Sequence, residues 1–235
     1  MDAARGTVPS TKARSRQRRG WVMILAPKGG MGKTTSATNL AVAAARDGRK
    51  VLAVDFDAQK SLTTWAKKRW RRSDRDELAQ IQVFEGDLRD RDAAFHMAED
   101  FDFVVFDTPP GAEGDMGAKL LSLATRCDVV AIPVSTSTAD NEKVRQFGRD
   151  VLARNHISYF FFFARVSRVH DTKRDIEAAK KGLQGYGPVL EPTIALRTEV
   201  KRMMETGICS DDAPGMHGHD EFQQLYSLVR EKFAA

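Results

Sequence analysis

The chain has 235 residues, 29% of them charged, and a formal net charge of +5. That length is enough for one sizeable domain with a buried core, and the modest positive balance implies solubility with a weak pull toward polyanions. Cys127 and Cys209 are too few for a disulfide framework, no apolar run is long enough to span a bilayer, and no signal-peptide h-region opens the chain, so a reduced, cytoplasmic protein is expected.

From the N-terminus, Lys12, Arg14, Arg16, Arg18 and Arg19 sit among Ser, Thr and Pro9 with no apolar periodicity. Residues 1–20 therefore read as a basic disordered arm, either simply solvated or adding non-specific DNA affinity, ahead of a single domain over 21–235. The apolar run Trp21–Ala26 predicts a strand. It leads into Lys28-Gly29-Gly30-Met31-Gly32-Lys33-Thr34-Thr35 and then an Ala-rich helix to Arg46, stopped by Asp47-Gly48. Strand, glycine loop and helix in that order make a phosphate-binding loop. The glycines let backbone N–H groups turn toward an anion, and the helix start adds partial positive charge. Lys33 then reaches the terminal phosphates and the Thr34 hydroxyl is placed to ligate magnesium. Pro27 stands where the common G-x-x-x-x-G-K-[ST] pattern has glycine, and Lys28 adds a second lysine at the mouth of the loop.

Lys50–Asp55 reads as a short buried strand delivering Asp55-Phe56-Asp57-Ala58-Gln59 at its carboxyl end, where parallel α/β sheets bind ligands. Carboxylates there hold magnesium through water or orient an attacking water; the bland alternative is a helix cap. Lys67 to Arg72 is a dense basic run around Trp70, read as a solvated helix face with contact to DNA or a partner as the alternative. A strand over 81–84 and a helix over 87–99 follow. The strand 101–106 then ends at Asp107-Thr108-Pro109-Pro110-Gly111, the arrangement that presents a carboxylate to magnesium.

The glycine-rich stretch 111–117 suits a loop responsive to a terminal phosphate. A helix over 116–125, a strand over 128–134 and one long helix over 138–154 come next. Tyr159–Ala164, with four consecutive phenylalanines, reads as a fully buried central strand. An amphipathic helix over 171–183 carries Lys173, Arg174, Lys180 and Lys181 on its outside. A last strand over 188–194 leads to Arg197, Lys201 and Arg202. Together Lys173, Lys180, Lys181, Arg197, Lys201 and Arg202 suggest a surface for duplex phosphates. In the tail, Phe222, Leu225, Tyr226, Val229 and Phe233 form one stripe flanked by Asp220, Glu221 and Glu231, which points to core packing rather than a basic membrane anchor. The strand–helix alternation predicts a doubly wound α/β fold with a mostly parallel sheet flanked by helices.

The K-G-G-x-G-K-T-[ST] loop resembles the deviant Walker A family: ParA-type partition ATPases, the division ATPase MinD and the nitrogenase iron protein. The resemblance runs over roughly residues 21–210 and includes V-D-x-D-x-Q (Ala58 replacing the usual proline), S-L-T-x-W at Ser61–Trp65 and D-x-P-P-G at Asp107–Gly111. It is closest to short ParA-type plasmid ATPases of the ParF kind and implies a P-loop NTPase fold of the SIMIBI type. The resemblance implies that the site takes ATP and Mg2+ through Lys28, Gly29, Gly30, Met31, Gly32, Lys33, Thr34 and Thr35. In that family Lys28 crosses a dimer interface to the partner's nucleotide, Asp55 and Asp107 with Thr34 serve the metal, and Asp57 positions the hydrolytic water. Arg165 matches a position near the adenine, and Asp140 an acidic position at the dimer face. The function so implied is an ATP-dependent homodimer that binds DNA non-specifically. By the same resemblance a ParB-like centromere-binding protein is expected to stimulate it, and it is expected to drive plasmid partition on the nucleoid without stable membrane association. Related alternatives are a positioning ATPase for another cargo and a membrane-cycling MinD-like regulator. An iron–sulfur reductase is disfavoured by the sequence context of Cys127 and Cys209.

Overall fold

The computed structural model describes residues 19–26, 28–72, 78–111, 114–167 and 169–233, and of residues 138–140 the backbone alone. Residues 1–18 of the basic arm, Pro27 and the side chain of Asp140 thus lie outside the described residues; of the expected arm, Arg19 donates to the Glu99 carbonyl and Gly20 already belongs to the first strand.

Seven strands form one all-parallel sheet: β1 Gly20–Ile24, β2 Val51–Asp55, β3 Gln82–Glu85, β4 Phe103–Asp107, β5 Val129–Val134, β6 Tyr159–Val166 and β7 Ile194–Ala195, in the order β3-β2-β4-β1-β5-β6-β7. From β1 the chain winds to one edge and, after β4, to the other. Strand order therefore reverses beside β1, the place where such sheets open a ligand crevice. Register sets the level of that crevice, because Ile24 and Asp55 both pair with Asp107. The turn after β1 and the two strand-end carboxylates consequently meet in one layer.

The expected doubly wound fold is the one observed. Helices α1 Lys33–Arg46, α2 Ser61–Trp70, α7 Thr198–Thr206 and α8 His219–Phe233 cover one face of the sheet. Helices α3 Arg91–Ala98, α4 Gly114–Ala124, α5 Thr138–Phe147 and α6 Lys173–Leu183 cover the other. The four phenylalanines of β6 serve both layers, Phe160 and Phe162 in the first core and Phe161 and Phe163 in the second. Period-two alternation explains why a strand sandwiched between helices can be apolar throughout. It is not central in the sheet, however, but second from the edge. Its outer side is covered by Pro188, whose carbonyl accepts from the Phe161 amide, and by Leu190, whose amide donates to the Phe161 carbonyl. The strand expected over 188–194 shrinks to an isolated bridge at Val189 and the two residues of β7.

The long helix expected over 138–154 changes winding, with a wide π turn over Gly148–Leu152 and a tight 3-10 turn over Ala153–Asn155. Gly148 lies where a Cβ would meet the Tyr159 and Phe161 rings at 3.1 Å, so the helix rewinds against that aromatic edge. The tail behaves as its stripe predicted. Phe222, Leu225, Tyr226, Val229 and Phe233 are buried, and Phe233 covers Gly20 so closely that a Cβ there would fall 1.9 Å from its ring. Among the described residues no helix is long and apolar enough to cross a membrane.

The basic run after Trp65 departs from the expected solvated face at one residue. Arg69 is turned inward, its guanidinium donating to both Asp212 oxygens at 2.9 and 2.7 Å and to the carbonyls of Ala79 and Gly207. Gly207 permits this, since a Cβ there would lie 2.4 Å from the Arg69 amide nitrogen. Removing one partner of a buried pair strands the other charge. Arg69→Ala is therefore expected to cost about 3–5 kcal/mol in urea unfolding. Lys67→Ala breaks only the exposed 3.6 Å pair with Glu85 and is expected to cost less than about 1 kcal/mol.

Candidate functional site

The glycine loop leaves β1 and turns through Gly30 and Gly32, both at positive φ (77° and 86°), into α1. Gly32 caps α1 without any side-chain hydrogen bond, so the amides of the first helical turn are left to a ligand. Lys33, at the first helical position, is buried to 6% exposure beneath the loop, whereas Lys28 is exposed at its mouth. A cleft of about 510 Å3 opens here, within the range of small-molecule sites. Gly30, Lys33, Thr34, Asp57 and Arg165 line it, together with residues between Ile194 and Met204.

At the floor, the Thr34 hydroxyl donates to Asp107 Oδ2 at 2.7 Å, and Asp107 Oδ1 has no hydrogen-bond partner among the described residues. A fully buried carboxylate oxygen without a donor is costly. Burial pushes the Asp107 carboxyl up to about 7, and the Asp55 charge adds to the rise, while the Thr34 hydroxyl and Lys33 oppose it. A hydroxyl and an orphaned carboxylate oxygen, both hard oxygen donors beside a phosphate cradle, fit a magnesium ion.

Asp55 is also fully buried, but it is largely committed to its own loop. Its Oδ2 accepts from the Thr63 amide and hydroxyl, both at 2.9 Å, and its Oδ1 accepts from the Asp57 amide at 3.2 Å. A carboxylate has about four acceptor positions. Three are used here, so Asp55 has room for one further contact rather than an open ligand face. Asp57 Oδ1 accepts from the Gln59 amide at 2.9 Å, a local turn that sets its carboxylate at the cleft wall.

Arg165 occupies a bulge in β6 at φ 59°, a left-handed conformation rare for arginine. Its guanidinium donates to the Gly30 carbonyl, and its stem lies 3.5 Å from where a Gly32 Cβ would be. The structure thus brings Arg165 onto the glycine loop as well as to the cleft.

Residues 22–210 match the CobQ/CobB/MinD/ParA nucleotide binding domain. The chain belongs to that family. Among related proteins, maintenance of carboxysome distribution protein A of Halothiobacillus neapolitanus is 36% identical over 114 residues, 48% of this chain and 49% of that protein. The chain spans about half the length of the curated relatives it matches. MinD of Pyrococcus horikoshii, solved with Mg-ADP, superposes with a TM-score of 0.69 at 22% identity, covering 90% of this chain and 96% of that one. A putative plasmid partition protein of Borrelia burgdorferi bound to AMPPNP superposes with a TM-score of 0.65 at 19% identity, covering 92% and 99%.

In this CobQ/CobB/MinD/ParA domain the basic residues expected to form one DNA surface are divided. Lys173, Lys180 and Lys181 ride on α6 and Lys201 and Arg202 on α7, helices packed on opposite faces of the sheet. Lys180 lies 3.8 Å from Glu191. Arg197 departs furthest from a solvent-facing role. Its two terminal nitrogens donate to the Glu221 carboxylate at 2.6 Å each, fastening the cleft wall to α8. The sequence reading also missed Thr63 and Lys60. Lys60 holds φ 52° before α2 while its Nζ reaches the carbonyls of Asp55 and Gly86. The available signal was a helix starting at Ser61 that has no capping side chain of its own, with an aspartate waiting at the preceding strand end.

The raised Asp107 carboxyl has a signed consequence. Between its ordinary value of 3.8 and about 7, the unfolded chain has released a proton that the folded chain still holds, so this group lowers stability as pH rises through that window. Asp107→Asn removes the titration. The melting temperature of the variant relative to the parent is expected to climb steadily from pH 4 to 7 and level off above, as read by calorimetry without nucleotide.

Proposed function

We propose that this chain is an ATPase of the partition and positioning kind, hydrolysing ATP to ADP and phosphate with Mg2+. The observation carrying this reading is the Asp107 oxygen that has no partner among the described residues, beside the Thr34 hydroxyl, next to a cleft lined by the glycine loop, Lys33 and Asp57. Loop amides from Gly29 to Thr35 and the Lys33 ammonium cradle the phosphates. Thr34 and Asp107 would hold the metal, and Asp55 would give its one remaining acceptor position to the surrounding water. Mg2+ bound there would supply neutralisation of phosphate charge. Asp57 orients a water for attack on the γ-phosphorus, opposite the bond to the β–γ bridging oxygen that breaks. Lys33 stabilises the charge that develops on the departing ADP. Arg165, beside the loop, closes the cleft toward the base.

Lys28, exposed at the loop mouth, reaches the nucleotide of a second subunit when two chains close face to face. The resulting homodimer binds DNA non-specifically on the nucleoid and meets a ParB-like centromere-binding protein, so that cycles of hydrolysis move plasmid DNA. α6 and α7 then offer Lys173, Lys181, Lys201 and Arg202 as separate contacts rather than one stripe. A second reading keeps the cycle and changes the cargo. It is favoured by the 36% identity to the carboxysome distribution protein over nearly half the chain.

Three variants separate the roles. Lys33→Ala is expected to weaken ATP binding roughly 100-fold, about 2.7 kcal/mol, in a fluorescent-nucleotide titration. Asp57→Ala should keep ATP affinity and the ATP-dependent dimer while turnover drops about 100-fold or more. Lys28→Ala should bind ATP as a monomer by light scattering; a variant that still dimerises and turns over normally removes Lys28 from the interface.

A further inference from the structure

The loop Asp55–Thr63 joins the end of β2 to α2 and carries Asp57 to the cleft that the glycine turn also lines. It contains no glycine, and Lys60 within it is held at φ 52°. Such a loop does not keep one shape unaided, because an L-residue in the left-handed region is strained. Two backbone bonds support it from outside: the Phe56 amide donates to the Asp107 carbonyl at 2.9 Å and the Gly86 amide to the Asp55 carbonyl at 3.2 Å. Both act at the strand end, before Asp57. Beyond Asp57 the Lys60 amide donates to the Asp57 carbonyl at 3.0 Å and closes a turn inside the loop, while the tie back to the strand end comes from side chains. Thr63, 3% exposed, gives both its amide and its hydroxyl to Asp55 Oδ2, and the other oxygen of the same carboxylate receives the Asp57 amide.

We propose that Thr63 is a positioning residue: by clamping Asp55 Oδ2 it closes the 55–63 loop into a ring and so fixes Asp57 at the water-orienting position.

The geometry distinguishes this from ordinary helix capping. An N-cap side chain sits at the residue before the helix and serves the second or third helical amide. Here that residue is Lys60, which caps nothing with its side chain, and the third helical amide is served by a carboxylate eight residues upstream. The Thr63 hydroxyl is not needed to satisfy α2, since the amide already does that. Its bond to Asp55 adds only to the hold on the carboxylate, and through Oδ1 to the Asp57 backbone. The Thr63 side chain touches neither Lys33 nor the glycine loop in any hydrogen bond, so losing its hydroxyl leaves the phosphate cradle in place. Positional errors near 1 Å at a catalytic group cost about 100-fold in rate, which is the scale this clamp controls.

The inference rests on the ATPase reading for its kinetic arm but not for its structural one. Thr63→Val keeps the shape and the amide and removes the hydroxyl; Thr63→Ser keeps the hydroxyl. For Thr63→Val, kcat is expected to fall about 10- to 100-fold with the nucleotide dissociation constant and KM little changed, and Thr63→Ser should recover most of the rate. In the nucleotide-free protein, amide hydrogen exchange at Asp57 and Gln59 should quicken in Thr63→Val and not in Thr63→Ser, while exchange in α1 stays as in the parent. Parental kcat in Thr63→Val, or unchanged exchange at Asp57 and Gln59, overturns the proposal. Should the valine variant fail to fold, Thr63→Ala is compared with Thr63→Ser by the same two measurements, and equal values in that pair overturn it as well. A parent chain that does not hydrolyse ATP refutes the ATPase reading, and the exchange comparison still decides the role of Thr63.

Discussion

Putting a carboxylate at the sealed end of a parallel strand forces a choice between neutralising it and giving it a cation. Asp107 is in that position, with one oxygen on the Thr34 hydroxyl and the other without a donor. Apolar strands on both sides make the burial complete, and the register that aligns Ile24, Asp55 and Asp107 puts the orphaned oxygen beneath the glycine turn. The sheet thus maintains an unfavourable group at one point, which is consistent with a site whose energetics are completed by something bound. The two flanking carboxylates have been separated in role by their neighbours: Asp55 gives three of its four acceptor positions to its loop, and Asp57 is brought to the cleft wall.

Around that point the molecule is tied together by polar bonds that cross between elements. Asn39 on α1 donates to the Thr35 carbonyl and accepts from the Ser210 amide at 2.8 Å, Arg69 on α2 grips Asp212, and Gln223 on α8 donates to Asp211. The short turn Ser210–Asp212 is therefore held by three helices of one face at once. Since α1 begins at the glycine loop and α2 begins at the Asp57 loop, both loops are referenced to the same short turn.

Much of this was legible in the chain itself, because the strongest signals are periodic or chemically singular. The glycine loop, the strand-end aspartates, the alternation of strands and helices and the apolar stripe of α8 each follow from residue type at fixed spacing. What escaped the sequence was decided by tertiary neighbours. Nothing in Lys67–Arg72 says which of five cations turns inward; Gly207 and Asp212, some 140 positions on, select Arg69. Nothing near Arg197 announces Glu221 as its partner. The division of the basic residues between two faces of the sheet depends on which layer each helix joins, information that amphipathicity alone does not contain.

The run of phenylalanines in β6 has one more implication. An ordinary half-buried strand is locked in alignment because sliding by one position would turn its greasy side to water. Four identical rings in succession weaken that lock, since a shift by one position still leaves phenylalanines facing both layers. What differs is Arg165: only the alignment with its bulge beyond Ala164 swings that guanidinium over Gly30. In this strand the alignment is thereby joined to the glycine turn as well as to the hydrophobic interior.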